Sequence, residues 1–367
     1  MIEHKEINED RAVECLAAKK RLAIPQGLIL VVGGVAVTTS LFHFFTGWFG
    51  CMHPQAQMTL SLSLFMILAF LFHPTGRKSW RDKLNRWFAI DVLFILLIIG
   101  SQVHIFSDFF GFTVERVSAA NTMDIIWGTI YIVLVLELVR RYLGYPFLGL
   151  CLFFILQNLT SEHWVGWFYG ANIPWKMYLE VNWITTNGLW ATPMWVVASY
   201  LVLFLIFAAL LLETGAGKFF IDLALSITGR FTGGPAKVAV VSSAFFGTLS
   251  GASVANVAAT GSFTIPMMKG VGYRSEFAGA VEAVASSGGQ IMPPIMGASA
   301  FIMAEFLGVH YFKVCLAAII PALIYFICTF MTIHFEARKT GLVGVPREQL
   351  PRLIPTLIRG WPILLPV

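Results

Sequence analysis

The stretch from Phe246 to Pro294, FGTLSGASVANVAATGSFTIPMMKGVGYRSEFAGAVEAVASSGGQIMPP, constrains this chain more than any other. It lies between long apolar runs, yet it carries Ser250, Ser253, Asn256, Thr260, Ser262, Thr264, Ser286, Ser287 and Gln290. Glycines and prolines interrupt it at Gly247, Gly251, Gly261, Pro266, Gly288, Gly289, Pro293 and Pro294. Lipid cannot accommodate such a segment on a helix surface, because each unpaired backbone group in hydrocarbon costs several kcal/mol. Irregular backbone at membrane depth survives only where protein buries it or where it lines a watery cavity.

The surroundings make membrane depth the right frame. Hydrophobic residues make up 57% of the 367 residues and charged residues 12%, with a mean hydropathy of +0.76, which excludes a soluble domain. Apolar runs recur too often and too deep in the chain to be a signal peptide. Four lie near 24–44, 57–73, 87–106 and 123–139, close to the roughly 20 residues a bilayer crossing needs, and a further apolar run follows at 143–157. The first twenty-one residues are polar, so the N-terminus is expected to stay cytoplasmic.

Charge then sets the topology. Lys+Arg exceed Asp+Glu by 25 to 20, but the cations are dispersed in loops and form no patch for nucleic acid. Lys19, Lys20 and Arg21 fall inside, and 45–56 falls outside with no charge. Arg77, Lys78, Arg81, Lys83 and Arg86 fall inside, 107–122 outside with Arg116 alone, and Arg140 and Arg141 inside. An aromatic segment, 158–190, carries Trp164, Trp167, Trp175 and Trp183 and reads as an element of the outer interface. A helix over 191–213 returns inward to Lys218, Arg230 and Lys237. The stretch 238–268 has Lys237 and Lys269 at its two ends, which predicts a re-entrant helical hairpin. A broken helix follows over 276–306, interrupted at Gly288–Pro294, then a crossing at 314–334. Making the hairpin a full crossing would place Arg338, Lys339, Arg347, Arg352 and Arg359 outside, against the charge bias. An amphipathic segment, Pro346–Arg359, precedes a new apolar run, WPILLPV, at which the sequence reads as cut off. The expected fold class is an all-α polytopic membrane protein whose transmembrane helices include a re-entrant hairpin and a broken helix.

Paired, Gly/Pro-broken apolar segments rich in hydroxyls point to the binding site of a secondary transporter. Hydroxyls, amide oxygens and freed carbonyls replace the water of a hard cation, and half-helix N-termini favour an anionic solute. The rival is a packing stripe of Gly247, Gly251 and Ala255, which leaves Asn256, Thr260 and the clustered prolines unexplained. Among buried carboxylates, Glu137 is placed to pair with Arg140 and Arg141. Asp91 is read as pairing or snorkelling at the cytoplasmic edge, and Glu282, on the broken helix, is a candidate coupling or gating residue. His43, His104 and His334 read as isolated interfacial histidines. Cys15, Cys51, Cys151, Cys315 and Cys328 show no metal spacing. No GxxxxGK[ST] loop is present, since GAGK at 215–218 lacks the spacing, which argues against an ATP-driven pump. No HExxH or GxSxG occurs, and no enzymatic activity is expected.

The run from Gly247 to Val309, GTLSGASVANVAATGSFTIPMMKGVGYRSEFAGAVEAVASSGGQIMPPIMGASAFIMAEFLGV, closely resembles the large membrane subunit of TRAP (tripartite ATP-independent periplasmic) transporters. LLETGAGKFFIDLALSITGRFTGGPAKVAVVSSAFFG, just before it, matches as well. The likeness is best with fused permeases that work with TAXI-type binding proteins. It implies a fused small-subunit region over 1–142, a connecting helix and aromatic segment over 143–190, and the first of two inverted repeats over 191–367, incomplete at its end. It also implies a multi-pass protein of a bacterial or archaeal inner membrane that imports small organic anions with sodium as coupling ion and no other cofactor. By motif position, Ser250, Asn256, Gly288, Ile291 and Pro294 would hold sodium, and Ser253, Thr260 and Ser287 would lie against substrate. The alternatives are a carrier of the same superfamily that takes its solute directly from solution, and a membrane scaffold subunit.

Overall fold

The computed structural model describes residues 26–50, 52–75, 87–346, 348 and 350–364. Lys19, Lys20, Arg21, Arg77, Lys78, Arg81, Lys83, Arg86 and Arg347, used above to orient the chain, lie outside the described residues. Every regular element among the described residues is helical. Among the described residues six helices are long and apolar enough to cross a membrane, and the chain is a polytopic all-α membrane protein. It divides into two compact units, residues 1–198 and 199–367.

In the first unit α1 (Gln26–Phe49), α2 (Pro54–Phe72), α3 (Phe88–Ser107) and α4 (Thr122–Tyr142) are the long apolar helices, followed by the shorter α5 (Tyr145–Leu159). Apolar side chains cover both the interior and much of the exterior. Leu30, Val37, Leu96 and Val103 stand exposed, as a lipid-facing surface requires. Because the exterior is equally apolar, polar contacts specify which faces meet inside. Asp91 of α3 is fully buried and receives the Arg141 guanidinium of α4 at 2.7 Å and the Thr75 hydroxyl at 2.9 Å. Arg141 also reaches Glu137 at 2.8 Å, and Arg140 reaches it at 2.7 Å, so the expected ion pair exists and extends to Asp91. The start of α4 is fixed by a capping box in which the Asn121 side chain accepts from the Asp124 amide and Asp124 accepts from the Asn121 amide.

Three expectations fail in this unit, the first being that His104 is isolated, since its ring lies 2.8 Å from the Asp124 carboxylate. His43 is buried, not interfacial. One ring nitrogen lies 2.7 Å from the Thr39 carbonyl and the other 3.1 Å from the Ser61 hydroxyl, with Phe65 stacked on the ring. A polar ring with both nitrogens partnered is stable inside the bundle. The aromatic segment is likewise divided. Trp167 and Tyr169 are exposed, but Trp183 is fully buried with Trp190 against Tyr131, forming the centre of the core with Met66, Phe70 and Ile105. Gly128 lets α4 approach closely enough, since a Cβ there would meet the Trp183 ring at 2.8 Å. The Trp190 indole N–H donates to the Trp183 carbonyl, which satisfies the buried donor.

A helix over Thr192–Glu213, α6, leads into the second unit. There α7 (Ala216–Thr228) is followed by a helical pair, α8 (Gly234–Ser250) and α9 (Ser253–Gly270), joined by only Gly251 and Ala252. At 17 and 18 residues these arms are about 25 and 27 Å long. Next come α10 (Ser275–Gly288), a turn of 3₁₀ helix at Gly289–Ile291, α11 (Ala298–Leu307), α12 (Tyr311–Lys339) and α13 (Leu353–Leu364). The expected broken helix over 276–306 is two helices of 14 and 10 residues, with the 3₁₀ turn and then irregular backbone between them. The amphipathic segment begins its helix at Leu353, later than the expected 346. The core of this unit joins α8 to α10 and α12 through Ala239, Val240, Val281, Ala285 and Phe326.

Candidate functional site

The hairpin tip and the helix break meet because both are built from glycine. Gly251 has φ +57°, in the left-handed region that favours glycine, and it turns the chain from α8 to α9. A Cβ on Gly251 would overlap the Met296 carbonyl, so the tip is seated directly on the segment that follows the break. One turn earlier, Gly247 faces Gly289, where an added Cβ on Gly289 would stand 2.9 Å from the Gly247 Cα and 2.9 Å from the Asn256 amide nitrogen. No side chain separates the two backbones there. The break is held from the other side by Tyr311, whose hydroxyl donates to the Pro294 carbonyl at 2.8 Å and also contacts that of Ile295.

Below the tip, a closed polar knot ties three helices together. Glu282 of α10 is buried with 1% exposure and has no cation within 4.0 Å among the described residues. Instead it accepts from three hydroxyls: Thr260, Thr264 at 2.5 Å and Ser286 at 3.2 Å. Ser243 of α8 stands 3.3 Å from the Thr260 hydroxyl and 3.5 Å from that of Ser286, and its carbonyl accepts from the Asn256 amide nitrogen at 2.9 Å. Each hydroxyl has one proton to give. Thr260 and Thr264 also approach the carbonyls one turn back, at 2.9 and 3.0 Å, but the contacts to a carboxylate are shorter and stronger.

The expected ion ligands are distributed unevenly around this geometry. The Ser250 hydroxyl, on the last residue of α8, is buried and has no hydrogen-bond partner. Asn256 is fully buried, and its side-chain oxygen has only a long 3.4 Å contact from Thr260. Gly288 is buried against Tyr325 and Phe326, while the Ile291 side chain is exposed and Pro294 offers the carbonyl already met by Tyr311. Of the expected substrate residues, Ser253 receives the Gln290 amide at 3.1 Å across the tip. Ser287 is exposed and donates to the Ala283 carbonyl at 2.8 Å. Thr260 lies inside the polar knot with its hydroxyl engaged. Ser243 was not singled out from sequence, because a serine within AVVSSAFF reads as a small residue of an apolar helix. At the far end of the hairpin Lys237 is buried, lies 3.0 Å from His334 and sits under the Phe330 ring, so His334 is partnered and not isolated.

The model of the family described as "Tripartite ATP-independent periplasmic transporter, DctM component" matches residues 130–367. The chain is 30% identical over 165 residues to the C4-dicarboxylate TRAP transporter large permease protein DctM of Pseudomonas aeruginosa, covering 45% of this chain and 38% of that protein. It is 33% identical over 144 residues to the protein of the same name in Vibrio cholerae, covering 39% of this chain and 31% of that one. It is 23% identical over 262 residues to the sialic acid TRAP transporter permease protein SiaT of Haemophilus influenzae, covering 70% of this chain and 39% of that one. The chain thus spans well under half the length of these relatives. A family match that starts within α4 and runs through the hairpin, the break and α13 places this chain in the DctM component family of TRAP transporters.

Proposed function

We propose that this chain forms part of the permease of a sodium-coupled secondary transporter that imports small organic anions delivered by a TAXI-type periplasmic binding protein. On this reading residues 1–142 are the fused small subunit and 191–367 belong to the large one. A second, inverted hairpin and broken helix would complete the ion and substrate sites. The N-terminus is cytoplasmic and α8–α9 re-enters from the cytoplasmic side of the inner membrane. The observation that carries the proposal is the Ser250 hydroxyl, buried without a partner at the hairpin tip, next to Gly251, which is seated on the segment that follows the helix break. A buried hydroxyl without a partner is destabilising unless a ligand satisfies it. A hydroxyl, an amide oxygen at Asn256 and main-chain carbonyls form the hard, neutral donor set suited to sodium, with Gly288, Ile291 and Pro294 contributing backbone. Substrate would meet Ser253 and Ser287 and be shaped by Thr260.

Uptake into proteoliposomes by a form carrying both repeats, with a sodium gradient and a TAXI-type binding protein, is the test. Asn256→Ala removes one oxygen ligand, a loss of about 1.5–3 kcal/mol for a charged partner, so the sodium midpoint should rise roughly 10- to 100-fold. The packing reading predicts the opposite, a nearly neutral Asn256→Ala. An unchanged sodium midpoint in a well-folded Asn256→Ala protein removes this residue from the site. Uptake that ignores sodium, or that proceeds equally without the binding protein, defeats the corresponding part of the proposal.

A further inference from the structure

The second unit holds a basic hollow that plays no part in the transport reading. A cavity of about 530 Å³ opens between α7 and α13, and its lining includes Gly215, Lys218, Asp222, Arg352, Thr356 and Arg359. Three cations and one carboxylate face it, a local balance of +2. None of Lys218, Arg352 and Arg359 has a carboxylate within 4.0 Å among the described residues. Asp222 is partly buried, which pushes its carboxyl up, while Lys218 and Arg359 pull it back down. The cations therefore have unsatisfied capacity, and Asp222 offsets only part of it.

The placement of α13 sets the depth of this hollow. Arg352, Thr356 and Arg359 follow at i, i+4 and i+7 and face the cavity. On the opposite side Ile354, Ile358 and Trp361 repeat the same spacing and are 70%, 67% and 59% exposed. A helix with one basic face and one bare apolar face lies in the membrane interface, its apolar side among acyl chains and its basic side at headgroup level. The packing between the two helices is tight at Gly360, where a Cβ would overlap the Phe219 ring. An anion at headgroup depth is the occupant that the charge and the depth both select.

We propose that this hollow binds the phosphate of an anionic phospholipid. Arg352 and Arg359 supply planar, bidentate donors to its oxygens, Lys218 supplies a point charge, and Asp222 disfavours a second acidic group beside the first. The inference does not depend on sodium coupling or on which leaflet the site faces.

The test titrates the purified chain in neutral detergent with phosphatidylglycerol, phosphatidylcholine or inorganic phosphate, with bound lipid read by native mass spectrometry. Phosphatidylglycerol should bind preferentially, and raised salt should weaken it. Replacing both arginines, Arg352→Gln with Arg359→Gln, should weaken phosphatidylglycerol roughly 30-fold. Arg352→Lys with Arg359→Lys should keep most of the affinity. Equal binding of phosphatidylcholine, displacement by inorganic phosphate, an unaltered affinity in the glutamine variant, or no response to salt would each overturn the proposal. The salt series on the unmodified chain decides the matter if the glutamine variant does not fold.

Discussion

Thr264→Val probes the polar knot at the point where the structure defines its energetics best. The substitution keeps the shape of the side chain and removes one hydroxyl. That hydroxyl lies 2.5 Å from a Glu282 oxygen and 3.0 Å from the Thr260 carbonyl, and its single proton goes to the carboxylate. A hydrogen bond to a charged group contributes about 1.5–3 kcal/mol, and one to a neutral group about 0.5–1.5 kcal/mol. Thr264→Val should therefore destabilise the second unit by roughly 1.5–3 kcal/mol while Glu282 keeps Thr260 and Ser286. In a Glu282→Gln background the same change should have only the neutral value. The double-mutant cycle should then return a coupling of about 1–1.5 kcal/mol, beyond the roughly 0.5 kcal/mol scatter of independent sites. At about 2–4 °C per kcal/mol for a unit of this size, Thr264→Val alone should lower the melting temperature in detergent by roughly 3–12 °C. Melting curves of the two single variants and the double variant measure this directly. Additive effects, or a neutral Thr264→Val, would show that Glu282 does not hold the hairpin as a carboxylate.

Two further outcomes follow from contacts elsewhere in the chain. Arg141→Met leaves Asp91 buried without its cation and should destabilise the first unit by about 3–5 kcal/mol, most of it recovered when Asp91→Asn is added; urea or thermal melts would read this, and failure of the double variant to recover would refute the pairing. Single cysteines at Phe231, before the first arm, and at Gly270, the last residue of the second, are both at exposed positions and should be labelled from the cytoplasm alone in a cysteine-free background; labelling of either from the periplasm would rule out re-entry.

The spans were legible because a lipid-facing helix must be apolar over its whole length, and that signal needs no partner to be read. The break was legible for the converse reason, since Gly288 to Pro294 cannot continue a helix. The interior of each unit was not. An indole suits a lipid headgroup and a protein core equally well, so nothing in the chain distinguishes Trp167 on the surface from Trp183 at the centre. The knot was hidden in another way. Glu282 lies 22 residues from Thr260 and 18 from Thr264, and Ser243 lies 43 residues from Ser286. Such separations carry no periodicity, and the grouping exists only once α8, α9 and α10 are packed. His43 likewise shows only as a histidine near a helix end until Ser61 and Phe65 are placed beside it.

The direct backbone meeting of Gly247 and Gly289 has a consequence for any mutational map of this region. Oxygen atoms offered by the main chain survive every side-chain replacement, so an alanine scan across the break is blind to them. The same scan would register its largest losses at the glycines, where a single methyl forces two peptide planes apart. Sensitivity along this stretch will consequently trace where helices touch, and the sodium site proposed above has to be tested by isotope-edited carbonyl spectroscopy or by thallium substitution.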